Sequence, residues 1–441
     1  MTIQQTTALL RKNELSCREL VKQYLGKIEK AGHLNAIMEI NPDALAIADA
    51  LDSSKEKNGA LFGVPILLKD NISTADRMHT SAGSIALAEN RAPMDAPIVQ
   101  LLRKAGAVIL GKTNMTEFAN YMADDMANGY SSRGGQTLNV FDPKADPSGS
   151  STGSAVAVAA ELCGAAIGTE TCGSIISPAH TAGITGIKPT AGLINGEAII
   201  PISFTLDTSG PMTRSVEDAA LLLGVLAGRN YEIGSKGKLE GVRIGICRGS
   251  PKEESDREEI SANEKLIPLM QALGAKCVDL PDFKIETGFY LPIMRYEFKY
   301  ALNRYLQSMA NPEIPQTLAE IIAYNNKHAD RALKYGQDIL VAAQEKASGK
   351  MIEPEYLNAM KEREKAIYAL DALFLENNID ILFMTKGDYR IAATTGFPSM
   401  TIPVGRNSKG LPIGSFMVAR KFNEEMLMSA ARSIELAMDA R

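Results

Sequence analysis

The early part of the chain has apolar residues at helical spacing, and shorter apolar runs follow it. Ser16 and Glu19 have the S-x-x-E spacing of a capping box, and the apolar residues behind them recur every three or four positions. Gly32 supplies a stop signal. The pattern therefore predicts a helix that begins after Ser16, and we interpret it as scaffold.

Short apolar runs bounded by Gly, Pro, Asp or Asn predict buried strands. They lie at 64–68, 107–110, 162–168, 239–247, 379–384, 400–404 and 413–418. Helical spacing predicts helices at 97–105 and 424–438. Segments 183–193 and 207–223 are predicted as loops followed by helices, and Ser215 is the expected N-cap of the second.

From about 287 to 377 the pattern changes to long helical repeats, such as 355–375. This region has no linker and no sign of a second hydrophobic core. We therefore expect one domain over residues 1–441, in which 287–377 forms a helical cap on the same sheet.

The stretch 147–178 differs from the rest of the chain, because its only charged residues are Glu161 and Glu170. Two Gly/Ser clusters, at 148–154 and 169–174, enclose an apolar run rich in Ala and Val. A flexible linker would lack that run. We interpret the clusters as two tight loops that present hydroxyl and N–H groups to a developing negative charge.

Composition excludes several classes of protein. The 441 residues carry a formal net charge of −5 and no basic patch, which argues against a nucleic-acid surface. Five separated cysteines without a C-x-x-C pair indicate neither a disulfide framework nor a metal site, and they suit a reducing compartment. Without a secretory leader or a membrane-length apolar run, the expected location is the cytoplasm.

Three nucleophiles are compatible with the pattern. Residues 149–153 fit G-x-S-x-G, but a nucleophile elbow needs a strand before its serine, and the preceding 142–147 contains two prolines. Cys172 would need a histidine partner, and nothing marks the nearby His180 as an orienting base. The third possibility is Ser174, activated by Lys69 through a serine of the first cluster.

Two side chains are judged differently alone and in context. Lys69 follows the predicted strand 64–68, and its own segment favours a solvated strand end. Arg133, in the loop 129–136, is also expected to be solvated. Only the two Gly/Ser loops suggest that Lys69 acts as a base.

Several motifs, in this order, resemble the amidase signature family over nearly the whole chain. They are LFGVPILLKDNIST, GKTNMTEFA, PSGSSTGSAVAVAAE, GTETCGSI, GIKPTAGL and PSMTIPVG followed by GLPIG. The resemblance implies an α/β fold, with a mixed central sheet covered by helices on both faces. It also implies amide hydrolysis by a Ser–cis-Ser–Lys triad, with no metal and no organic cofactor.

By the same motifs, Ser174 corresponds to the acylated nucleophile, Ser150 to the relay serine behind a cis peptide bond, and Lys69 to the general base. The oxyanion hole corresponds to the backbone N–H groups of Thr171, Cys172, Gly173 and Ser174. Ala119 corresponds to a main-chain contact with substrate.

The chain departs from the family pattern at Ser148 and Thr152, which replace glycines, and at Cys172 and Ile176, the latter standing where many members have arginine. The GTET-x-GSI, SSRGGQT, IIPISFTLDTSGPM and HADRALKYGQD segments are most similar to the branch that contains peptide amidases, which remove a C-terminal amide.

Three functions follow as hypotheses. The first is an amide hydrolase acting on C-terminal peptide amides or small amides. The second is the glutamine-hydrolysing subunit of a tRNA-dependent amidotransferase, and the third is a non-catalytic binding protein on the same fold. For the hydrolase we expect a small-molecule or peptide amide substrate, no nucleic-acid or membrane partner, and a monomer or homodimer.

Overall fold

The computed structural model describes residues 1–234, 238–281, 283–309 and 311–439. The strands are β1 (Ile37–Ile40), β2 (Pro65–Lys69), β3 (Val108–Thr113), β4 (Tyr130–Ser131), β5 (Gly135–Gln136), β6 (Ala165–Glu170), β7 (Thr185–Lys188), β8 (Thr208–Thr213), β9 (Arg243–Cys247), β10 (Lys276–Asp279), β11 (Ile381–Met384), β12 (Ser399–Thr401), β13 (Pro403–Arg406), β14 (Pro412–Gly414) and β15 (Phe416–Ala419).

The helices are α1 (Ile3–Arg11), α2 (Cys17–Lys30), α3 (Ala44–Asp52), α4 (Pro97–Lys104), α5 (Thr152–Ala159), α6 (Ile176–Thr181), α7 (Val216–Ala227), α8 (Glu254–Glu264), α9 (Leu266–Ala272), α10 (Tyr290–Met309), α11 (Leu318–Lys327), α12 (Ala329–Ala332), α13 (Asp338–Lys346), α14 (Pro354–Glu376), α15 (Tyr389–Thr395) and α16 (Glu424–Asp439). None of the helices within the described ranges is long and apolar enough to cross a membrane.

A single sheet of eleven strands organises the described residues, in the order β1-β3-β2-β6-β8-β7-β12-β15-β11-β9-β10. The β2 strand is parallel to β3 and β6, whereas β8 is antiparallel to both β6 and β7. One apolar cluster packs α4, α7, α9 and α16 on one face, and another packs α2, α3 and α5 on the other. The predicted mixed sheet with helices on both faces is confirmed.

Most of the predicted elements lie within a few residues of the observed ones. Ser16 and Glu19 form the predicted capping box of α2, and the Ser215 side chain accepts the Asp218 N–H at the start of α7. The prediction for 183–193 was wrong throughout, because its first half holds the central strand β7 and turns, not a helix, follow it. The prediction for 207–223 was wrong only in its first half, which is the central strand β8. Pro211 lies inside β8 opposite Ile167, a position that local propensity disfavours and that the neighbouring strands impose.

The region 287–377 is helical, as predicted, and contains α10 to α14. Its helices form an apolar cluster together with residues of 82–126 and 200–206. That cluster places the helices beside the two loops at the ends of β2 and β6, where the site lies. The assignment of the whole chain to one domain stays a prediction.

Candidate active site

Lys69 is the last residue of β2, and its side chain is fully buried. Its Nζ donates hydrogen bonds to Ser150 Oγ at 2.8 Å and to the Thr169 carbonyl at 3.1 Å. The expectation of a solvated lysine, drawn from its own segment, was therefore wrong. Because β2 lies between β3 and β6, its end is covered by the loops that follow its neighbours.

Burial lowers the pKa of the Lys69 amine from its usual 10.5 to about 7. The carboxylates of Asp207 and Glu170 oppose the shift, since a negative charge nearby favours the ammonium form. A substantial fraction of Lys69 is thus neutral near pH 7, as a general base must be.

The first Gly/Ser loop holds Ser150 against this amine. The Gly149–Ser150 peptide bond is cis, and the carbonyl of Ser150 accepts the N–H of Thr116 at 3.1 Å. A Cβ on Gly149 would lie 2.5 Å from Thr116 Oγ1, so only glycine fits there. The loop is therefore fixed from both sides before α5 begins at Thr152.

The second loop follows β6 and brings Ser174 beside the first. The N–H of Ser151 donates to the Ser174 carbonyl at 3.1 Å, and Ser174 retains 8% exposure. Glu170 Oε2 anchors the loop by accepting the N–H groups of Ile175 at 2.8 Å and Ile176 at 3.0 Å. Burial raises the pKa of Glu170, and the charge of Lys188 opposes that rise.

The geometry brings Lys69, Ser150 and Ser174 together, but their hydrogen-bond chain is incomplete. In the described part of the chain Lys69 bonds to Ser150, whereas no hydrogen bond joins the hydroxyls of Ser150 and Ser174. Catalytic hydrogen bonds often shorten only when substrate is bound. The roles of the three residues stay a prediction.

Thr171, Cys172 and Gly173, the other proposed oxyanion donors, form the turn before Ser174. The Thr171 hydroxyl donates to Asp207 Oδ1 at 2.6 Å. Gly173 has φ of +98°, and a Cβ there would lie 2.4 Å from the Tyr389 ring. Glycine is thus required at this position, but the assignment of the four N–H groups to an oxyanion hole stays a prediction.

The structure disfavours the two competing nucleophiles. Burial, reinforced by Glu170, raises the pKa of the Cys172 thiol to about 12, which leaves almost no thiolate near neutrality. Burial lowers the pKa of His180 to about 4, and its Nε2 accepts the Gly414 N–H at 3.3 Å. Ser151, the serine of the G-x-S-x-G match, donates from Oγ to the carbonyl of Thr169 and accepts that residue's N–H.

A cavity of about 810 Å³ opens beside the second loop. Asn71, Thr169 and Thr171 line its inner end, and Ala119, the predicted substrate contact, lines its wall with φ of +56°. Large apolar and aromatic side chains line the rest, among them Met94, Ile194, Ile200, Phe204, Tyr300 and Met351. Its size and apolar character suit the body of a small organic ligand.

Sequence reasoning assigned no role to Asp207, although the IIPISFTLDTSGPM segment contains it. This residue lines the inner end of the cavity and touches the second loop. The signal available was an acidic residue inside a Ser/Thr/Gly-rich segment. Nothing in the sequence places Asp207, 33 residues after Ser174, next to the second loop.

Three departures from the family pattern have local explanations. Ser148 Oγ shares a 2.7 Å hydrogen bond with Ser177 Oγ, and Thr152 Oγ1 donates to the Ser148 carbonyl at 2.6 Å. Ile176 is 2% exposed within an apolar cluster that includes Phe374 and Leu382. The substituted side chains tie the loops down or fill the core, and they leave the Lys69–Ser150 contact intact.

The prediction for Arg133 was wrong as well. Its guanidinium is 16% exposed and pairs with Glu39 at 2.7 Å and with Asp70 at 3.5 Å. Asp70 is fully buried one residue beyond Lys69. This loop arginine therefore balances a buried charge. Within the described ranges, no group of three or more His, Cys, Asp or Glu side chains is placed to hold a metal ion.

Comparison with known proteins gives consistent matches. The family model for amidases matches residues 19–428. A probable amidase of Arabidopsis thaliana is 33% identical, with 99% of this chain and 90% of the relative covered. A glutamyl-tRNA(Gln) amidotransferase subunit of Chromohalobacter salexigens is 32% identical, with 99% and 96% covered. The X-ray structure of the native peptide amidase from Stenotrophomonas maltophilia has a TM-score of 0.91 at 36% identity, with 100% of this chain and 97% of that chain covered.

Proposed function

The chain belongs to the amidase family, in its peptide amidase-like branch, and is an amide hydrolase; from that premise we propose that it works through a seryl acyl-enzyme. Ser174 is the nucleophile, Ser150 the proton relay and Lys69 the general base. The observation that carries the proposal is the 2.8 Å hydrogen bond between Lys69 Nζ and Ser150 Oγ, inside a buried pair of loops that also holds Ser174.

In the first half-reaction Ser174 Oγ attacks the carbonyl carbon of the amide. Ser150 takes the proton of Ser174 and passes its own proton to neutral Lys69. The tetrahedral oxyanion is held by backbone N–H groups of the 171–174 turn. The loss of one such donor raises a barrier by about 3 kcal/mol in comparable sites.

Collapse of the intermediate breaks the C–N bond and leaves the acyl group as an ester on Ser174. The proton on Lys69 returns through Ser150 to the leaving nitrogen, which departs as a neutral amine or ammonia. Water then attacks the ester by the same relay, and the carboxylic acid and free Ser174 are released.

For the substrate we propose amides with a bulky, largely apolar acyl part, such as C-terminally amidated peptides. The support is the apolar cavity, which begins at Thr171 and is large enough for one or more side chains. The similarity to a peptide amidase points the same way. A screen of amidated peptides against small aliphatic amides tests this proposal, and a preference for acetamide over every peptide amide would contradict it.

The central experiment is Ser174→Ala with Ser177→Ala as its matched control. Ser174→Ala should reduce kcat by at least about 10⁴-fold on any amide that the wild type cleaves. It should also abolish labelling by a fluorophosphonate, read as a mass increase of the intact chain. Ser177 lies three residues away and bonds to Ser148 Oγ, outside the proposed relay, so Ser177→Ala should still be labelled. Turnover undiminished in Ser174→Ala would refute the mechanism.

The amidotransferase component is the second candidate, and its support is the 32% identity to the Chromohalobacter salexigens protein. It requires glutaminase activity and a stable partner chain. We propose instead that the enzyme acts alone in the cytoplasm, as a monomer or homodimer, on a substrate that is neither nucleic acid nor membrane. Light scattering on the active species measures its molar mass and so tests the proposed monomer or homodimer. Activity that appears only with an added partner chain would favour the amidotransferase alternative.

A further inference from the structure

Asp207 occupies the turn that leads into β8, between the catalytic loops and the cap. Its Oδ1 accepts the Thr171 hydroxyl at 2.6 Å, and its Oδ2 accepts the N–H groups of Ile202 at 2.8 Å and Ser203 at 3.0 Å. Asp207 is partly buried, and it lines the cavity. Both carboxylate oxygens are thus engaged in fixed contacts.

These contacts join two parts of the proposed site. Thr171 begins the turn that supplies the oxyanion N–H groups, whereas Ile202 belongs to the cavity wall. We propose that Asp207 is a positioning residue that locks the oxyanion turn to the wall of the substrate cavity and places a negative charge against Lys69. The inference rests on the proposed function, because it assumes that Lys69 is the base.

Hydrogen bonds from the helical cap also hold the turn that carries Asp207. Glu297 of α10 is fully buried and accepts hydrogen bonds from the Ser203 and Thr205 hydroxyls and from the Thr205 N–H at 3.1 Å. Tyr356 of α14 donates its hydroxyl to the same carboxylate at 2.9 Å. The cap therefore fixes the position from which Asp207 acts.

The charged groups that face Lys69 come from two elements. Asp207, from the turn before β8, and Glu170, from the end of β6, both favour the ammonium form. The positive charge of Lys188 favours the ionised form of Glu170, whereas the negative charge of Glu297 disfavours the ionised form of Asp207. Removal of the Asp207 charge should therefore make Lys69 neutral at lower pH, because one of two stabilising anions is lost.

The substitution Asp207→Asn isolates the charge. The Asn carbonyl oxygen can accept the N–H groups of Ile202 and Ser203. Its NH2 group can donate to Thr171 Oγ1, because a hydroxyl accepts as well as donates a hydrogen bond. The midpoint of Lys69 can be read directly by 1H–13C NMR of protein labelled at lysine Cε, with the signal assigned by its absence in Lys69→Met. Glu197→Gln is the matched control, since it removes an exposed carboxylate from the same cavity wall.

We expect the Lys69 midpoint in Asp207→Asn to fall by about one pH unit, and the acid limb of kcat/KM to move with it. Glu197→Gln should leave that midpoint in place. An unmoved or raised midpoint in Asp207→Asn would overturn the inference. So would an equal fall in both variants, because any carboxylate of the cavity would then have the same effect.

The positioning role has its own test in Thr171→Val, with Thr171→Ser as the conservative variant. The valine removes the hydrogen bond and keeps the Asp207 charge. We expect kcat to fall about tenfold, with KM changed less and the Lys69 midpoint not lowered, and the serine should restore kcat. Full kcat in Thr171→Val would overturn this part. Failure of the proposed function looks different, because the wild type itself would then lack an acid limb that tracks Lys69.

Discussion

Two fully buried lysines lie at the ends of neighbouring parallel strands, and only one of them bonds to Ser150, the candidate relay serine. In the register of β2 and β3, Lys69 is opposite Thr113 and Lys112 is opposite Leu68. Successive side chains of a strand point to opposite faces, so Lys69 and Lys112 lie on opposite sides of the sheet. Burial lowers the pKa of both amines, to about 7 for Lys69 and about 8 for Lys112.

Their partners differ. Lys112 donates to the Ile72 carbonyl and to Thr80 Oγ1 at 2.9 Å, and the acids Asp70, Asp76 and Glu39 favour its charged form. Lys69 donates to Ser150 Oγ and to the carbonyl of Thr169, a residue that lines the cavity. A lowered pKa thus does not identify the base. The two lysines differ in the hydroxyl that each contacts, because Ser150 belongs to the loop that is bonded to Ser174. Substitution of each lysine tests this difference.

The largest effect should come from Lys69→Met, which removes the proposed base and keeps a long apolar stem. We expect kcat to fall by about 10²–10⁴-fold, the range for loss of a general acid–base group, with the fold unchanged by circular dichroism. Lys112→Met is the matched control on the other side of the sheet. If the two variants lost kcat equally, the distinction between the lysines would be wrong.

Lys112→Met should act on stability instead. Its removal leaves the buried carboxylate of Asp70 with less compensating charge and deprives the Ile72 carbonyl of a buried donor. A buried acceptor left without its partner costs about 1–3 kcal/mol. We expect a clear fall in the melting temperature, with kcat of the folded protein within about fivefold of wild type. An unchanged melting temperature would show that Lys112 is not needed to balance Asp70.

The pH dependence of activity separates the lysines in a second way. Protonation of Lys69 would remove the proposed base, so we expect activity above its pKa and its loss as the pH falls through about 7. The wild-type log kcat/KM should therefore decline with a slope of one below that value, about tenfold per pH unit. The Lys112→Met variant should keep the same limb. A flat profile from pH 5 to pH 10, with chemistry rate-limiting, would contradict the assignment.

The smallest effect concerns the loop that holds Ser150. Thr152→Gly restores the family glycine but removes the 2.6 Å hydrogen bond from Thr152 Oγ1 to the Ser148 carbonyl and places glycine in α5. We expect a loss of about 1–2 kcal/mol in stability, and kcat within about fivefold of wild type. Increased stability in this variant would show that the Thr152 side chain does not stabilise the loop that holds Ser150.

Much of the framework could be predicted from the sequence, because its signals are local. The capping box at Ser16, the N-cap at Ser215 and the buried run that ends at Lys69 were identified within a few residues. The two Gly/Ser loops were also recognised, because clustered small polar residues around an apolar run are unusual. For these elements, chemistry and position are encoded in neighbouring residues.

The strands β7 and β8 show where local signals fail. Both contain Gly, and β8 has a proline inside it, yet they pair at the centre of the sheet. A Cβ on Gly210 would lie 2.1 Å from the Ile187 carbonyl, so close strand approach selects the residue that weakens the strand signal. Arg133 was misjudged because its partner Glu39 is distant in the chain. Asp207 was overlooked because its contact with Thr171 is also not local.

The sequence alone determined the residue types of the site, the two loops and the family resemblance, because these depend on short motifs. Only the tertiary structure decided which lysine bonds to Ser150, that Arg133 is paired, and that Asp207 both bonds to Thr171 and lines the cavity. The physical reason is that charge, burial and hydrogen bonding depend on distances in space. In a mixed sheet, those distances are set by strands that are far apart in the chain.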